Sequence, residues 1–306
     1  MRLKLLILIL LISAFWLFTC GEDHSITPSI IVQPQSSRKW ISGIPFYNDA
    51  GVLLQHDNRI LESGNFLTFS DASSDSVKIA YSKMAEESLA EIMKAFGIEN
   101  SVELGISDRD TKITIFSNRY LDHGQRAFSF GYILYALDSP VHLARPEYIR
   151  ERYRNVVKHE TYHVFDKLYG LGSNYGVDRP SFWFKEGMAE FISGGGSKPF
   201  ETTDELDLWI SIMQNSAHPI DVVKGEEWMT LDNRGSYYTI FHLAVRYLMD
   251  EEGLGKTYQD VRLMYDDILI NHDFNLAFKK YMGISVEYFR DNFFDLVREL
   301  LSDDSD

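Results

Sequence analysis

Apolar residues recur at intervals of three and four over two long stretches of the chain. In the first stretch the pattern ends at Gly97, a residue type that commonly stops a helix. Its apolar positions are Val77, Ile79, Ala80, Met84, Leu89, Ile92, Met93 and Phe96. The second stretch runs from Glu147 to Tyr169 without Pro or Gly, and its apolar positions include Val156, Val157, Val164, Phe165 and Leu168. Both patterns predict amphipathic α-helices.

Alternating apolar and polar residues predict strands ahead of the second helix. One strand is expected at residues 65–70 and another in TKITIFSNR, residues 111–119. The aromatic segment RAFSFGYILYALD, residues 126–138, predicts one or two more. Within it, residues 128–135 fit either a core strand or an edge strand that pairs with an extended peptide.

Helical periodicity dominates the chain beyond Gly194. It predicts five helices, at residues 204–215, 237–250, 257–269, 274–281 and 286–301. The sequence therefore predicts an α+β fold in two parts. Residues 59–194 form a small mixed sheet with helices, and residues 195–306 form a mainly helical C-terminal part. The glycine-rich SGGGSK at 193–198 is the predicted break between them.

The N-terminus has the pattern of an export signal. Arg2 and Lys4 precede a run from Leu5 to Phe18 in which only Ser13 is polar. This run is shorter than the ~20 residues that a membrane-spanning helix needs, so a permanent transmembrane anchor is the weaker alternative.

Cys20, the only cysteine of the chain, closes this run in the sequence LFTC, which resembles a bacterial lipobox. The resemblance implies that residues 1–19 are a lipoprotein signal peptide and that Cys20 receives the lipid. Residues 20–58 are then the predicted tether. We expect an extracytoplasmic protein, lipid-anchored to a bacterial membrane, at the outer membrane or the cell surface. A plain signal peptide followed by an incidental thiol is the alternative.

The composition is that of a globular protein, with 45% hydrophobic residues and a formal net charge of -15. No cluster of Lys and Arg offsets this charge, so the chain would repel phosphate backbones and we expect no nucleic-acid partner. A single cysteine allows no internal disulfide, so stability must come from packing and from any bound metal. The sequence leaves the oligomeric state open.

The candidate chemistry begins with HETYH, residues 159–163, on the second predicted helix. His159 and His163 are four apart, so both rings lie on one helix face and could bind one metal ion. Glu160 lies roughly 100° around the helix from His159. The pattern is short enough to arise by accident, in which case the histidines are ordinary and Glu160 is solvated. The deciding question is therefore whether a third ligand exists.

Glu186 is the candidate third ligand, on a short helix predicted after Pro180. Glu190 lies four residues further on the same face, and it could accept the second ring N–H of a ligand histidine. Apolar residues surround both glutamates in the sequence: Phe182, Trp183, Phe184, Met188, Phe191 and Ile192. A pair of solvated carboxylates is the alternative, but buried carboxylates beside a dication and imidazoles fit these neighbours better. Two histidines and one glutamate are a ligand set of catalytic zinc.

HETYH followed by WFKEGMAEF resembles the gluzincin zinc metallopeptidases, and most closely the peptidase-MA-like domains of bacterial lipoproteins. The similarity extends over roughly residues 111–300. It implies a zincin-like fold, with His159, His163 and Glu186 as Zn2+ ligands, Glu160 as general base and Glu190 as the carboxylate behind a ligand histidine. The implied activity is hydrolysis of peptide bonds in peptide or protein substrates.

The same resemblance assigns a tyrosine as hydrogen-bond donor to the reaction's oxyanion, with Tyr238 the first choice and Tyr237 the second. Either could instead be a core tyrosine with a locally satisfied hydroxyl. We read His242 as a core residue. Two non-enzymatic hypotheses stay open: a surface lipoprotein that binds peptide or glycan around a structural or vestigial metal site, and an adhesion lipoprotein without metal.

Overall fold

The computed structural model describes most of the chain between residues 38 and 303. The described residues are 38–47, 53–54, 59–70, 75–118, 127–130, 133–137, 147–171, 178–195, 200–213, 216–224 and 235–303. The predicted signal peptide, Cys20 and much of the predicted tether lie outside them. Residues 37–306 form one compact unit. Within the described ranges, no helix combines the length and the apolar character needed to cross a membrane.

Most of the described strands belong to one mixed sheet. Its members are β1 (Lys39–Ile41), β4 (Ile60–Glu62), β5 (Phe66–Ser70), β6 (Ile113–Asn118), β7 (Ala127–Phe130) and β8 (Ile133–Leu137). Two further strands, β2 (Phe46–Tyr47) and β3 (Leu53–Leu54), pair with each other. The order in the larger sheet is β1-β4-β5-β6-β8-β7. The pairs β5–β6 and β6–β8 are parallel and the others are antiparallel, so β7 ends the sheet within the described residues.

Eight α-helices are described. They are α1 (Asp75–Ala95), α2 (Glu147–Leu168), α3 (Phe182–Ser193), α4 (Thr203–Met213), α5 (Gly235–Met249), α6 (Tyr258–Asn271), α7 (Phe274–Met282) and α8 (Val286–Asp303). The helices expected from the hydrophobic periodicity are confirmed, with small differences at their ends. The molecule is thus a mixed α+β fold, mostly helical in its later part, as the sequence predicts.

Helix α1 joins the parallel strands β5 and β6 and packs against the sheet and against α2. One stripe of α1 is fully buried, as its 3.6-residue period predicts. The stripe contains Val77, Tyr81, Ala85, Leu89 and Ile92. α2 in turn contacts β7 and β8, so the helix that carries both histidines is held beside the end of the sheet.

One hydrophobic core cluster includes residues from both sides of Gly194. Phe165 of α2 and Trp183 of α3 belong to it together with Tyr265 of α6 and Phe289 of α8. The rings of Trp183 and Phe289 have centroids 5.8 Å apart. The C-terminal helices therefore share their core with the two helices that bear the candidate ligands.

Strand β1 lies inside the range 20–58 that the sequence predicts as a tether. It pairs with β4, and its Trp40 contacts two cations: the guanidinium carbon of Arg59 is 4.5 Å and Nζ of Lys78 is 5.5 Å from the ring centroid. Each such contact contributes about 0.5–1 kcal/mol at exposed sites. β1 has three residues, two of them exposed, so it has no hydrophobic alternation by which sequence analysis could find it.

Glu62, at the end of β4, is a buried carboxylate surrounded by cations. Nη2 of Arg109 and Nζ of Lys112 donate to it at 2.8 and 3.0 Å, and Nζ of Lys39 lies 3.3 Å away. Burial alone would raise the pKa of Glu62, but the hydrogen bonds outweigh burial and lower the pKa from 4.5 to about 2.

Replacing Glu62 by Gln is expected to lower the free energy of unfolding at pH 7 by about 2 kcal/mol, because hydrogen bonds to a charged group are lost. Since the folded-state pKa is depressed, the carboxylate stabilises the protein above pH 4.5, and this contribution is lost as the pH falls through about 2. Denaturant titrations of both proteins should therefore converge at low pH. An equal difference at all pH values would contradict the assignment.

Candidate metal centre

The two predicted metal-binding motifs lie on α2 and α3, which pack against each other. Ser181 precedes α3 in the extended conformation of an N-cap residue. The helix ends at Gly194, whose φ of 80° turns the chain so that the N–H of Gly195 donates to the carbonyl oxygen of Glu190 at 2.8 Å. Residues 181–190 are all buried, so α3 is an interior helix and anything on it must be compatible with burial.

The side chains of His159, His163 and Glu186 converge on one point between α2 and α3. The Nε2 atoms of the two histidines are 3.1 Å apart. Oε2 of Glu186 lies 3.4 Å from Nε2 of His159 and 3.3 Å from Nε2 of His163. The three residues that the sequence predicts as metal ligands are thus brought together, as a group whose donor atoms could hold a metal ion.

The separations between these donor atoms fit a tetrahedral metal site. Nitrogen and oxygen atoms ~2.0–2.1 Å from a tetrahedral zinc ion stand about 3.3 Å from one another. The three observed separations are 3.1, 3.3 and 3.4 Å. The donor set, two imidazole nitrogens and one carboxylate oxygen, is also one that zinc accepts.

Glu190 determines which ring nitrogen of His159 is available. Its Oε1 lies 3.1 Å from Nδ1 of His159, and an ionised carboxylate only accepts hydrogen bonds, so Nδ1 carries a proton. In the neutral ring, Nε2 then directs a lone pair towards His163 and Glu186. A lone pair directed at a carboxylate oxygen is repelled unless a proton or a cation lies between them, and a buried carboxylate behind a histidine is typical of metal ligands.

The charges of the site require a positive counterpart. Glu186 and Glu190 are 7% and 5% exposed. With no metal bound, burial would lower the pKa of His159, but hydrogen bonds with both glutamates raise it well above 6.5. Burial would raise the pKa of Glu186, but the charges and hydrogen bonds of His163 and His159 hold it well below 4.5. Two buried negative charges are thus balanced either by protonated imidazole or by a dication.

Glu160 lies next to these side chains and is half-buried. Its charge contributes to raising the pKa of His159, after the effects of burial and of the other two glutamates. Among the described residues Glu160 forms no hydrogen bond or ion pair, whereas Glu186 and Glu190 both contact imidazoles. Its carboxylate is therefore the one at this site that is not already engaged by a histidine.

Of the two candidate tyrosines on α5, Tyr238 lies beside the site. Its ring is half-buried, and the centroids of the Tyr238 and His159 rings are 6.0 Å apart at an interplanar angle of 73°. Tyr237 is fully buried, and its hydroxyl donates to the carbonyl oxygen of Ala217 at 2.7 Å. The Tyr237 ring also packs against Trp209, with centroids 5.6 Å apart. Tyr237 therefore has the core role that the sequence left open for either tyrosine.

His242, one turn after Tyr238, is a core residue as predicted. It is 8% exposed, and its ring packs against Phe191 with centroids 5.8 Å apart. Burial lowers the pKa of His242 below 6.5, so its ring is neutral at pH 7.

Gly187 allows α5 to approach α3 directly beside the third candidate ligand. A Cβ atom at this position would lie 2.4 Å from the carbonyl oxygen of Phe241 and 2.7 Å from Cγ2 of Val245. Both separations are shorter than real Cβ contacts, and the first involves backbone. The glycine after Glu186 is therefore required by helix packing, a role that sequence analysis did not identify.

Replacing Gly187 by Ala is expected to lower the free energy of unfolding by about 1–3 kcal/mol, because the helices must move apart. The displacement should also move Glu186 and weaken metal binding, which isothermal titration can measure. Gly235→Ala is the matched control, since none of the described residues lies within 4 Å of the added Cβ atom. Equal stability of the two variants would contradict the close approach.

A second polar contact between α2 and α3 was not predicted from the sequence. Nζ of Lys185 lies 2.7 Å from Oδ2 of Asp166, and each side chain is 3% exposed. The sequence does indicate this contact, because Asp166 follows His159 by seven positions and so lies on the same helix face. It is easily overlooked because Asp and Lys are usually exposed.

No family model matches the chain, and no curated protein shows significant sequence similarity to it. The resemblance to gluzincin peptidases therefore rests on the residues of the two motifs and on their placement in this fold.

Proposed function

We propose that the protein is a zinc-dependent metallopeptidase with a zincin-like fold that hydrolyses peptide bonds. The convergence of three zinc-type donor atoms at tetrahedral spacing carries the proposal. His159, His163 and Glu186 would hold the ion, and Glu190 would orient His159 through its Nδ1–H.

The number of ligands favours a catalytic over a structural site. Structural zinc sites are usually closed by four protein ligands, whereas catalytic sites have three and leave one position open. The group found among the described residues contains three. Glu160 stands beside it, and a structural site has no use for a base.

Each residue of the site would have its own role in the proposed reaction. A bound zinc ion would polarise the substrate carbonyl and lower the pKa of water from ~15.7 towards ~7. Glu160 would accept a proton from the attacking water and later donate it to the leaving amine. Glu190 would keep His159 in the tautomer whose Nε2 faces the site, and Tyr238 would donate a hydrogen bond to the developing oxyanion.

The position of β7 supports an extended peptide as substrate. β7 ends the sheet within the described residues and α2 packs against it. A terminal strand has backbone N–H and C=O groups that an extended chain can pair with. The proposed substrate is accordingly an unfolded or flexible segment of a peptide or protein, presented outside the cytoplasm if the lipid attachment predicted at Cys20 is correct.

Metal analysis and a peptide-library digest of the purified chain from residue 20 onwards test this proposal. We expect one zinc ion per chain and cleavage that stops when a chelator is added. Stoichiometric zinc without cleavage would favour the non-catalytic binding lipoprotein, and absence of zinc would contradict the metal site itself.

Replacing Tyr238 by Phe is expected to lower kcat by about 100–1,000-fold, because one donor to the oxyanion is lost. Zinc content should be unchanged, since Tyr238 is not one of the donor atoms. Tyr237→Phe is the matched control at the neighbouring position. It should cost about 1 kcal/mol of stability through the lost bond to Ala217 and leave kcat near that of the unmodified chain.

A further inference from the structure

The polar residues of α2 that face α3 form a stripe with helical spacing. His159, His163 and Asp166 occupy positions i, i+4 and i+7, so they follow one another along a single face over two turns. Two of the three are candidate metal ligands. Asp166, at the far end of the stripe, has no part in the proposed chemistry.

The partners on α3 follow the opposite order. Glu190 contacts His159, Glu186 contacts both histidines, and Lys185 contacts Asp166. Moving towards the C-terminus of α2 therefore means moving towards the N-terminus of α3. We call this antiparallel series of four contacts the polar seam. The ion pair between Lys185 and Asp166 is the last contact of this series, and Lys185 immediately precedes the candidate ligand Glu186.

The ion pair at the end of the polar seam is buried on both sides. Lys185 and Asp166 are each 3% exposed and 2.7 Å apart. Behind Asp166, the hydroxyls of Tyr162 and Tyr265 share a hydrogen bond of 2.6 Å. Burial and the charge of Asp166 keep the pKa of both tyrosines well above 10. The pair is thus enclosed by protein.

Such a pair does little for stability, because losing the hydration of both charges offsets most of their attraction. The best-supported use of buried polar pairs is to select one register among several apolar packings. One turn of helix corresponds to a slide of about 5.4 Å along α2. Such a slide would separate the buried opposite charges of Lys185 and Asp166, which is unfavourable in the protein interior.

We propose that Asp166 and Lys185 are positioning residues that fix the register of α3 on α2, so that Glu186 meets the two histidines. This inference rests on the proposed zinc site. The pair acts through the placement of Glu186, and it touches neither the metal nor the substrate.

The double variant Asp166→Asn, Lys185→Met removes both charges and approximately keeps both shapes. We expect its Zn2+ affinity, measured by competition with a chromophoric chelator, to fall by about 10–100-fold, the range typical of residues that support a metal ligand. The visible spectrum of bound Co2+, which reports ligand geometry, should change as well. Circular dichroism and the melting temperature without metal should remain close to those of the unmodified chain.

Asp166→Glu provides a second variant if the double variant does not fold. It keeps both charges but lengthens one arm by a methylene group, so it should fold and show a smaller loss of Zn2+ affinity. Glu62→Gln is the matched control, because it disrupts an ion cluster elsewhere whose carboxylate side chain is also buried, at 7% exposed. It should lower the melting temperature and leave Zn2+ affinity and the Co2+ spectrum unchanged.

The outcomes separate this inference from the proposed function. Unchanged Zn2+ affinity and an unchanged Co2+ spectrum in the Asp166 and Lys185 variants would overturn the register role and leave the zinc site intact. A chain of native sequence that binds no Zn2+ would overturn both.

Discussion

Replacing Glu160 by Gln is expected to stop peptide hydrolysis while the protein still binds zinc. The amide cannot accept the proton of the attacking water, and general-base catalysis of this kind contributes about 100–10,000-fold to the rate. Metal binding should persist because Glu160 contributes no donor atom to the group of His159, His163 and Glu186. The measurements are kcat/KM on a peptide from the library digest and the zinc content of the same sample.

A matched control removes a carboxylate where no chemistry is proposed. Glu287 is exposed in the first turn of α8, so Glu287→Gln should retain both zinc and kcat/KM. Retained activity in Glu160→Gln would exclude Glu160 as the base. Loss of zinc from this variant would instead show that Glu160 supports the ligands.

Replacing Glu186 by Ala is expected to weaken Zn2+ binding by more than about 100-fold, beyond the usual effect of losing a residue that only supports a ligand. Two imidazoles on one helix would remain, and the carboxylate that joins α3 to the ion would be gone. The same variant also shows how much of the protein's thermal stability comes from bound zinc. A ligand present at 1,000 times its Kd stabilises a protein by about 4.1 kcal/mol, so zinc should raise the melting temperature of the unmodified chain by several degrees and that of the variant hardly at all.

Glu190→Gln is the variant with which the loss of Zn2+ affinity in Glu186→Ala should be compared. The amide oxygen still accepts the Nδ1–H of His159, but the negative charge is lost, so Zn2+ affinity should fall by about 10–100-fold. If Glu186→Ala and Glu190→Gln lost the same affinity, the distinction between ligand and supporting carboxylate would be wrong.

The helices and the candidate ligand set follow from local sequence patterns. The 3.6-residue period of α2 is long and uninterrupted, and it places His159 and His163 on one face before any tertiary contact is known. Glu186 could be predicted because apolar residues surround it, which makes an unpaired carboxylate costly there. Both arguments use information that lies within a single helix.

Features that depend on how helices meet could not be predicted in this way. Tyr237 and Tyr238 differ by about 100° around α5, and only the packing of α5 on α3 determines which of them faces the site. Gly187 resembles any helical glycine until Phe241 is seen to approach it. Strand β1 is too short for any period, so its pairing with β4 is likewise a tertiary feature.

The complete burial of residues 181–190 has a consequence for how the molecule moves. An amide inside an enclosed helix exchanges with deuterated solvent only when its surroundings open, and segments of this kind open at a free energy close to that of global unfolding. α3 should therefore be among the last segments to take up deuterium. Many enzymes carry their reactive groups on mobile loops, whereas the proposed ligand Glu186 would be held on a helix that opens slowly.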